Sequence, residues 1–283
     1  MKAVLHRFIF FIGIFCFVTA CETDDTQTVA TFNDLVWEDN FDVDGAPDPQ
    51  KWAFDIGDGS AEGIPGWGNE ELQYYTDRTE NVTVQNGFLL ITAQEENFNG
   101  SSYTSARLKT EGILEQAYGR FEARMRLPFG QGYWPAFWLL GNNCDENPWP
   151  ACGEIDIMEY VGDEPTVVLG SVHGPGYSGG DAISKDFELE NDRFDTGFHV
   201  FGIEWTPEYI NYYVDDTLYQ TLTPEDIAEE TDDEGEWIFD RPFYIVLNLA
   251  IGGELPGSPN SETIFPQTML VDYVRVYRNR IVN

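Results

Sequence analysis

Hydrophobic and polar residues alternate with a period of two along most of this chain. In GRFEARMRL (119–127), Phe121, Ala123, Met125 and Leu127 fall on one face and Glu122, Arg124 and Arg126 on the other, the pattern of a half-buried strand. HVFGIEW, YINYYVDD, FYIVLNLAI and VDYVRVYRN read the same way. They are rich in β-branched and aromatic side chains and are separated by Gly, Pro, Asn and Asp turns. A helical period shows only in TPEDIAEE (223–230), with Thr223 as the expected N-cap. From Phe32 onward there is no internal repeat, heptad pattern or long linker. A run of about 250 residues made of short strands and turns predicts an all-β sandwich of two antiparallel sheets.

The N-terminus breaks this pattern. Lys2 and Arg7 precede FIFFIGIFCFVTA, thirteen apolar or small residues, which suits a signal peptide and is short for a bilayer anchor. The stretch ends in VTAC, which resembles the bacterial lipobox, so that Cys21 would carry lipid as the mature N-terminus. The expected organisation is a lipoprotein-type signal peptide over 1–20, a flexible tether over 21–33 and a folded domain over 34–283. Export and lipid anchoring to the bacterial outer membrane or cell surface follow from that reading.

Charge narrows the choice of partner. The 283 residues include 50 acidic and 15 basic side chains, a formal charge of -35. A nucleic acid would meet a repulsive field, so a neutral partner is the default. Of four cysteines, Cys16 leaves with the signal and Cys21 is assigned to lipid, which leaves Cys144 and Cys152 in CDENPWPAC to close a disulfide in an oxidising compartment. With three histidines in the chain and none near that pair, a zinc site is not expected. No GxGxxG opening a helix, phosphate loop or GxSxG elbow occurs.

The chemistry concentrates in GEIDIMEY (153–160), where Glu154, Asp156 and Glu159 interrupt an apolar run. Strict alternation puts Glu154 and Asp156 on one face and sends Glu159 to the other. One bulged residue, Ile157 or Met158, restores the parity and lines up all three acids. Like charges so placed repel and hold at least one proton above its usual pKa. Glycoside hydrolysis makes use of such an arrangement, since it needs one carboxylate to attack the anomeric carbon and one carboxylic acid to protonate the leaving oxygen.

GEIDIMEY resembles the bulged E-[ILV]-D-x-x-E signature of glycoside hydrolase family 16. VWEDNFD, PGWGNEELQYYT, SARLKT, YGRFEARMRLP, GYWPAFWLLG, SVHGPGYSGG and DYVRVY extend the resemblance over nearly all of residues 34 to 280, toward the laminarinase (endo-1,3-β-glucanase) type. The resemblance implies a β-jelly-roll whose concave sheet forms an open cleft. It implies Glu154 as nucleophile, Glu159 as general acid and then base, and Asp156 as the residue that holds the nucleophile's geometry. It places Trp134 and Trp138 in the cleft, with Trp67, Asn69, Glu70, Arg107 and Asn248 as further groove residues and His173 beside the acid. It implies no cofactor for the chemistry and a structural calcium at Glu38, Gly87 and Asp272. Where relatives often carry a Trp, this chain has Leu255 in GGELPG, so one stacking platform is expected to be missing. The substrate expectation is a laminarin-like β-1,3-glucan hydrolysed with retention by a monomer, with mixed-linked glucan hydrolysis and non-catalytic glucan binding as the alternatives.

Overall fold

The computed structural model describes residues 32–232 and 234–279. The signal peptide, most of the tether and the lipid-anchor cysteine Cys21 lie outside the described residues. The tether boundary needs one correction: the first strand, Phe32–Asp39, already pairs with the last strand at Phe32, so the sheet begins two residues before the expected domain start.

Two sheets stack face to face. In one, the strands run in the order Ile183–Glu188, Val167–His173, Glu154–Glu159, Tyr133–Gly141, Phe243–Ile251, Arg107–Lys109 and Ala53–Asp55, all antiparallel. The opposing sheet is centred on Gln267–Asn279, which pairs with Phe88–Phe98 along its first half and lies between Gly119–Arg126 and Phe32–Asp39 along its second. The alternation read from the sequence is realised, with Phe121, Ala123, Met125 and Leu127 all buried. They meet Phe137, Leu139, Ile155, Ile245 and Leu247 from the first sheet in one continuous core. Every residue of Phe243–Ile251 is buried, in keeping with its place inside the sheet. The helix Pro224–Glu230 is capped as expected, with Thr223 and Asp226 forming a reciprocal capping box. Among the described residues no helix is long and apolar enough to cross a membrane.

The bulge is the local feature that positions the site. Across from Tyr133–Gly141, Asp156 pairs with Trp138 and Met158 with Phe137, leaving Ile157 unpartnered. On the other side the register jumps from Asp156–Ser171 to Glu159–Leu169, so Gly170 alone faces the two bulged residues. A Cβ at Gly170 would run into Tyr212 and Tyr219 of the opposing sheet. Tyr212 also donates to the Ser171 carbonyl at 2.9 Å, which ties the core to the strand beside the bulge. Ile157 and Met158 are both buried in the core, and Glu159 returns to the face of Glu154 and Asp156.

Cys144 and Cys152 form the expected disulfide, closing the loop that leads into the acidic strand. Chain entropy over so short a loop gives a stabilisation of about 2–3 kcal/mol. The Cys144→Ser, Cys152→Ser double variant is accordingly expected to unfold at lower denaturant concentration than the parent under non-reducing conditions, by about that free energy. Identical midpoints would show that the link adds nothing.

Candidate active site

The acidic strand lies between two neighbours that each supply partners. From one side, Trp134 and Trp138, four residues apart and hence on one face, reach the carboxylates. The Trp134 indole N–H donates to Glu159 Oε1 at 3.2 Å. Gly253, with φ of 112°, lets the backbone lie against that ring, because a Cβ there would come within 3.1 Å of it. From the other side, Ser171 Oγ donates to Glu159 Oε2 at 3.4 Å and itself accepts from Ser184 at 2.8 Å. Glu154 accepts from the Trp149 indole at 2.8 Å, and its other oxygen lies 4.0 Å from His173 Nε2.

His173 stands opposite Glu154 in the strand register. Its Nε2 lies 3.0 Å from Asp156 Oδ2, a charge contact without hydrogen-bond alignment, since that oxygen has no aligned donor. The Gly179 N–H donates to His173 Nδ1 at 3.1 Å, which puts the neutral ring's proton on Nε2, toward the acids. The sequence expectation placed this histidine beside Glu159; the structure places it against Asp156 and Glu154, and Glu159 is instead held by Trp134 and Ser171. The reason is register: His173 is level with the start of the acidic strand, and Leu169 is level with its end.

Burial sets the protonation pattern. Asp156 is pushed well above the usual carboxylate range, first by burial and then by the charges of Glu154 and Glu159. Burial also raises Glu159, with Glu154 adding to the rise and His173, Trp134 and Ser171 opposing it. Burial lowers His173, but Asp156, Glu154 and Glu159 outweigh it and push it up to about 9. The Gly179 N–H, facing the nitrogen that would take the second proton, works against that rise. A carboxyl group whose pKa is raised, beside a second carboxylate that accepts an indole N–H, is the pairing that acid and nucleophile roles require. Glu154, Asp156 and His173 also offer ligand atoms within 4.8 Å of one another, which the crowding of acids around one imidazole accounts for.

The groove continues across the central strand. Asn248 and Arg107 follow Ala136 in one cross-strand row that ends at Asp55. Arg107 pairs with Asp55 at 2.9 Å and is sandwiched between the Trp67 and Trp138 rings, 4.6 and 4.8 Å from their centroids. The Trp138 indole donates to Asn248 Oδ1 at 2.7 Å. Trp67 is buried, so it enters the groove as the wall behind Arg107. Asn69 is exposed and donates to Glu71 at 3.3 Å. Glu70 is a correction: it is exposed, with a left-handed φ of 59°, and the carboxylate that turns inward is its neighbour Glu71, which accepts from Asn69, Gln73 and Tyr75. Sequence reasoning also passed over Trp149, Ser171, Tyr75 and Asp55. Trp149 had a signal, since it lies within the disulfide loop five residues before Glu154; the others act through tertiary contacts.

The residues expected to hold calcium lie on the other sheet, away from the acids. Asp272 accepts from Arg124 at 2.6 Å and Glu38 lies 3.5 Å from Arg275. With both carboxylates engaged by guanidinium groups, their side chains do not form a free ligand set, and a hard cation there would depend on backbone oxygens, including that of Gly87.

Comparison with known proteins agrees with this geometry. The family model for Glycosyl hydrolases family 16 matches residues 69–273. The chain is similar to a beta-glucanase of Rhodothermus marinus, 42% identical over 282 residues that cover 98% of this chain and 96% of the relative. Its fold is similar to the laminarinase catalytic domain of Thermotoga maritima, at 49% identity and a TM-score of 0.82, covering 87% of this chain and 99% of that one. A non-specific endo-β-1,3(4)-glucanase, SCLam, solved with a glucan oligosaccharide at its active site, superposes with a TM-score of 0.78 at 34% identity over 88% of this chain and 97% of its own.

The histidine makes a testable statement about stability. Its folded pKa, about 9, exceeds the ordinary value near 6.5. The stabilisation it contributes is therefore complete below about pH 6.5 and lost as pH rises through about 9. Asp156, also raised, contributes with the same sign. Melting temperature should fall between pH 6.5 and 9, and His173→Gln should flatten that fall; equal slopes in parent and variant would contradict the assignment.

Proposed function

The chain belongs to glycosyl hydrolase family 16, and from that premise we propose that it cleaves internal β-1,3-glucosidic bonds of laminarin-like β-glucans with retention of configuration. A Glu154 oxygen forms a bond to the anomeric carbon as the glycosidic C–O bond breaks, and the leaving oxygen takes the proton of Glu159. Water then attacks the same carbon, Glu159 takes its proton, and Glu154 departs as a carboxylate. The Trp149 N–H holds one Glu154 oxygen in place, while burial raises Glu159 and so favours the proton its acid role needs. Asp156, buried between them, holds the geometry of the nucleophile, and His173 offsets part of the negative charge. Trp134 and Trp138 offer flat apolar faces to the sugar rings, with Arg107, Asn248, Trp67 and Asn69 completing the groove.

The single observation that carries this reading is the bulged strand, which sets three carboxylates side by side in a tryptophan-lined groove. No cofactor enters these steps. A calcium ion held by backbone oxygens near Glu38, Gly87 and Asp272 would stabilise the distant sheet and take no part in them. The second reading is an endo-1,3(4)-β-glucanase that also accepts mixed linkages. It is favoured by Leu255, exposed where a stacking ring would select one chain shape, and by the likeness to a non-specific enzyme. A purely glucan-binding role has no use for the three acids. We further place the protein outside the cell as a monomer anchored by lipid on Cys21, which its N-terminal pattern supports.

Glu154→Gln keeps the shape of the nucleophile and removes its charge. It should lower turnover of laminarin by at least about a thousandfold while leaving glucan affinity near the parent value. Turnover within tenfold of the parent would overturn the assignment of Glu154.

A further inference from the structure

Behind the groove, two hydrogen-bond chains converge on one half-buried carboxylate that the proposed chemistry does not use. The first starts at the cleft. An indole N–H can only donate, so Trp138 requires Asn248 to present Oδ1. The Asn248 amide nitrogen must then face Tyr75, and it donates to the phenol oxygen at 3.2 Å. Tyr75 is fully buried, and its own proton goes to Glu71 Oε2 at 3.0 Å. The second chain starts at the backbone. The Ile251 N–H, also donor-only, requires Oε1 of Gln73 at 2.7 Å, so the Gln73 amide nitrogen points to the same Glu71 oxygen at 2.5 Å. Both chains therefore run one way and need an acceptor at their common end.

Glu71 is fixed to serve as that end. Its N–H bonds to Gly66 O at 3.1 Å, Leu72 N–H bonds to Ile251 O at 2.8 Å, and Glu71 bridges to Gly252, so its backbone is docked at the end of the central strand. Burial pushes its pKa up, and Arg107, Gln73, Asn69 and Tyr75 pull it back toward the charged form. Arg107, which pairs with Asp55, is the cation that stacks on Trp138. The indole hydrogen bond on Trp138 thus leads back to Glu71, while the guanidinium stacked on the ring is held by Asp55.

We propose that Glu71 is a positioning residue that fixes the Trp138 face of the groove, acting through Tyr75 and Asn248, and so sets glucan affinity without touching the reacting bond. This rests on the reading of the groove as a β-glucan site. Glu71→Gln leaves an acceptor in place but removes the charge that strengthens the bonds from Tyr75 and Gln73.

The test combines Glu71→Gln, Tyr75→Phe and the double variant, with steady-state kinetics on laminarin, melting temperatures, and calorimetric binding of a β-1,3-glucan oligosaccharide in the Glu154→Gln background. Glu71→Gln is expected to raise KM and the oligosaccharide Kd by roughly fivefold or more while kcat changes less than about twofold. Because both residues lie on one chain, the double variant should be weaker in binding by clearly less than the product of the two single effects. Unchanged KM and Kd in Glu71→Gln, effects that multiply, or a fall in kcat and melting temperature with KM unchanged would each overturn the proposal. If the parent hydrolyses laminarin and the affinities do not move, the positioning role alone falls. If the parent neither hydrolyses nor binds the glucan, the functional reading falls with it.

Discussion

One extra residue in one strand is the constraint on which the site depends. A regular strand alternates its side chains, and under that rule Glu159 would point into the core while Met158 faced the groove. The bulge at Ile157 sends two successive apolar residues inward and returns Glu159 to the side of Glu154 and Asp156. The opposing sheet supports the irregularity: Gly170 leaves space across from it, Tyr212 and Tyr219 occupy that space, and Tyr212 bonds to the adjacent strand. Site geometry and core packing are therefore one problem, and a change that filled Gly170 would act on the carboxylates without touching them.

Electrostatics follows from that placement. Three acids with one histidine in a partly dry groove cannot all be charged, and the neighbours decide which is. Asp156, buried deepest, is pushed up most clearly, while Glu159 is raised with two donors restraining it and Glu154 receives an indole N–H at its outer edge. Trp138 connects this acidic cluster to the other half of the groove. It is level with Asp156 in the strand register, donates to Asn248 and carries the guanidinium of Arg107 on its ring. The reacting end and the binding wall share that side chain.

Much of this was legible in the sequence because it obeys short periods. Alternation gave the strands, Thr223 the helix cap, the count of remaining cysteines the disulfide, and the parity of GEIDIMEY the bulge, with Ile157 rather than Met158 proving to be the residue without a partner across from Tyr133–Gly141. The misreadings occur where the chain leaves regular geometry. In GWGNEE, Trp67 and Glu70 both have positive φ, so neighbour counting assigns the wrong glutamate, and Glu71 rather than Glu70 turns inward. His173 was placed beside the wrong acid because the antiparallel pairing sets it level with Glu154, at the start of the acidic strand, and leaves Leu169 level with Glu159. Tyr75 and Ser171 matter through partners more than ten residues away, which no local pattern encodes.

The central claim is that the bulge lets Glu154 and Glu159 act on the two ends of the same glycosidic bond by double displacement, the route of retaining enzymes, whose paired carboxyl groups stand about 5–5.5 Å apart and leave no room for a water between nucleophile and sugar. Proton NMR of the reducing ends newly released from a β-1,3-glucan oligosaccharide reads this directly. The account predicts that the β-anomer appears first and the α-anomer grows only later by mutarotation. Initial release of the α-anomer would contradict it.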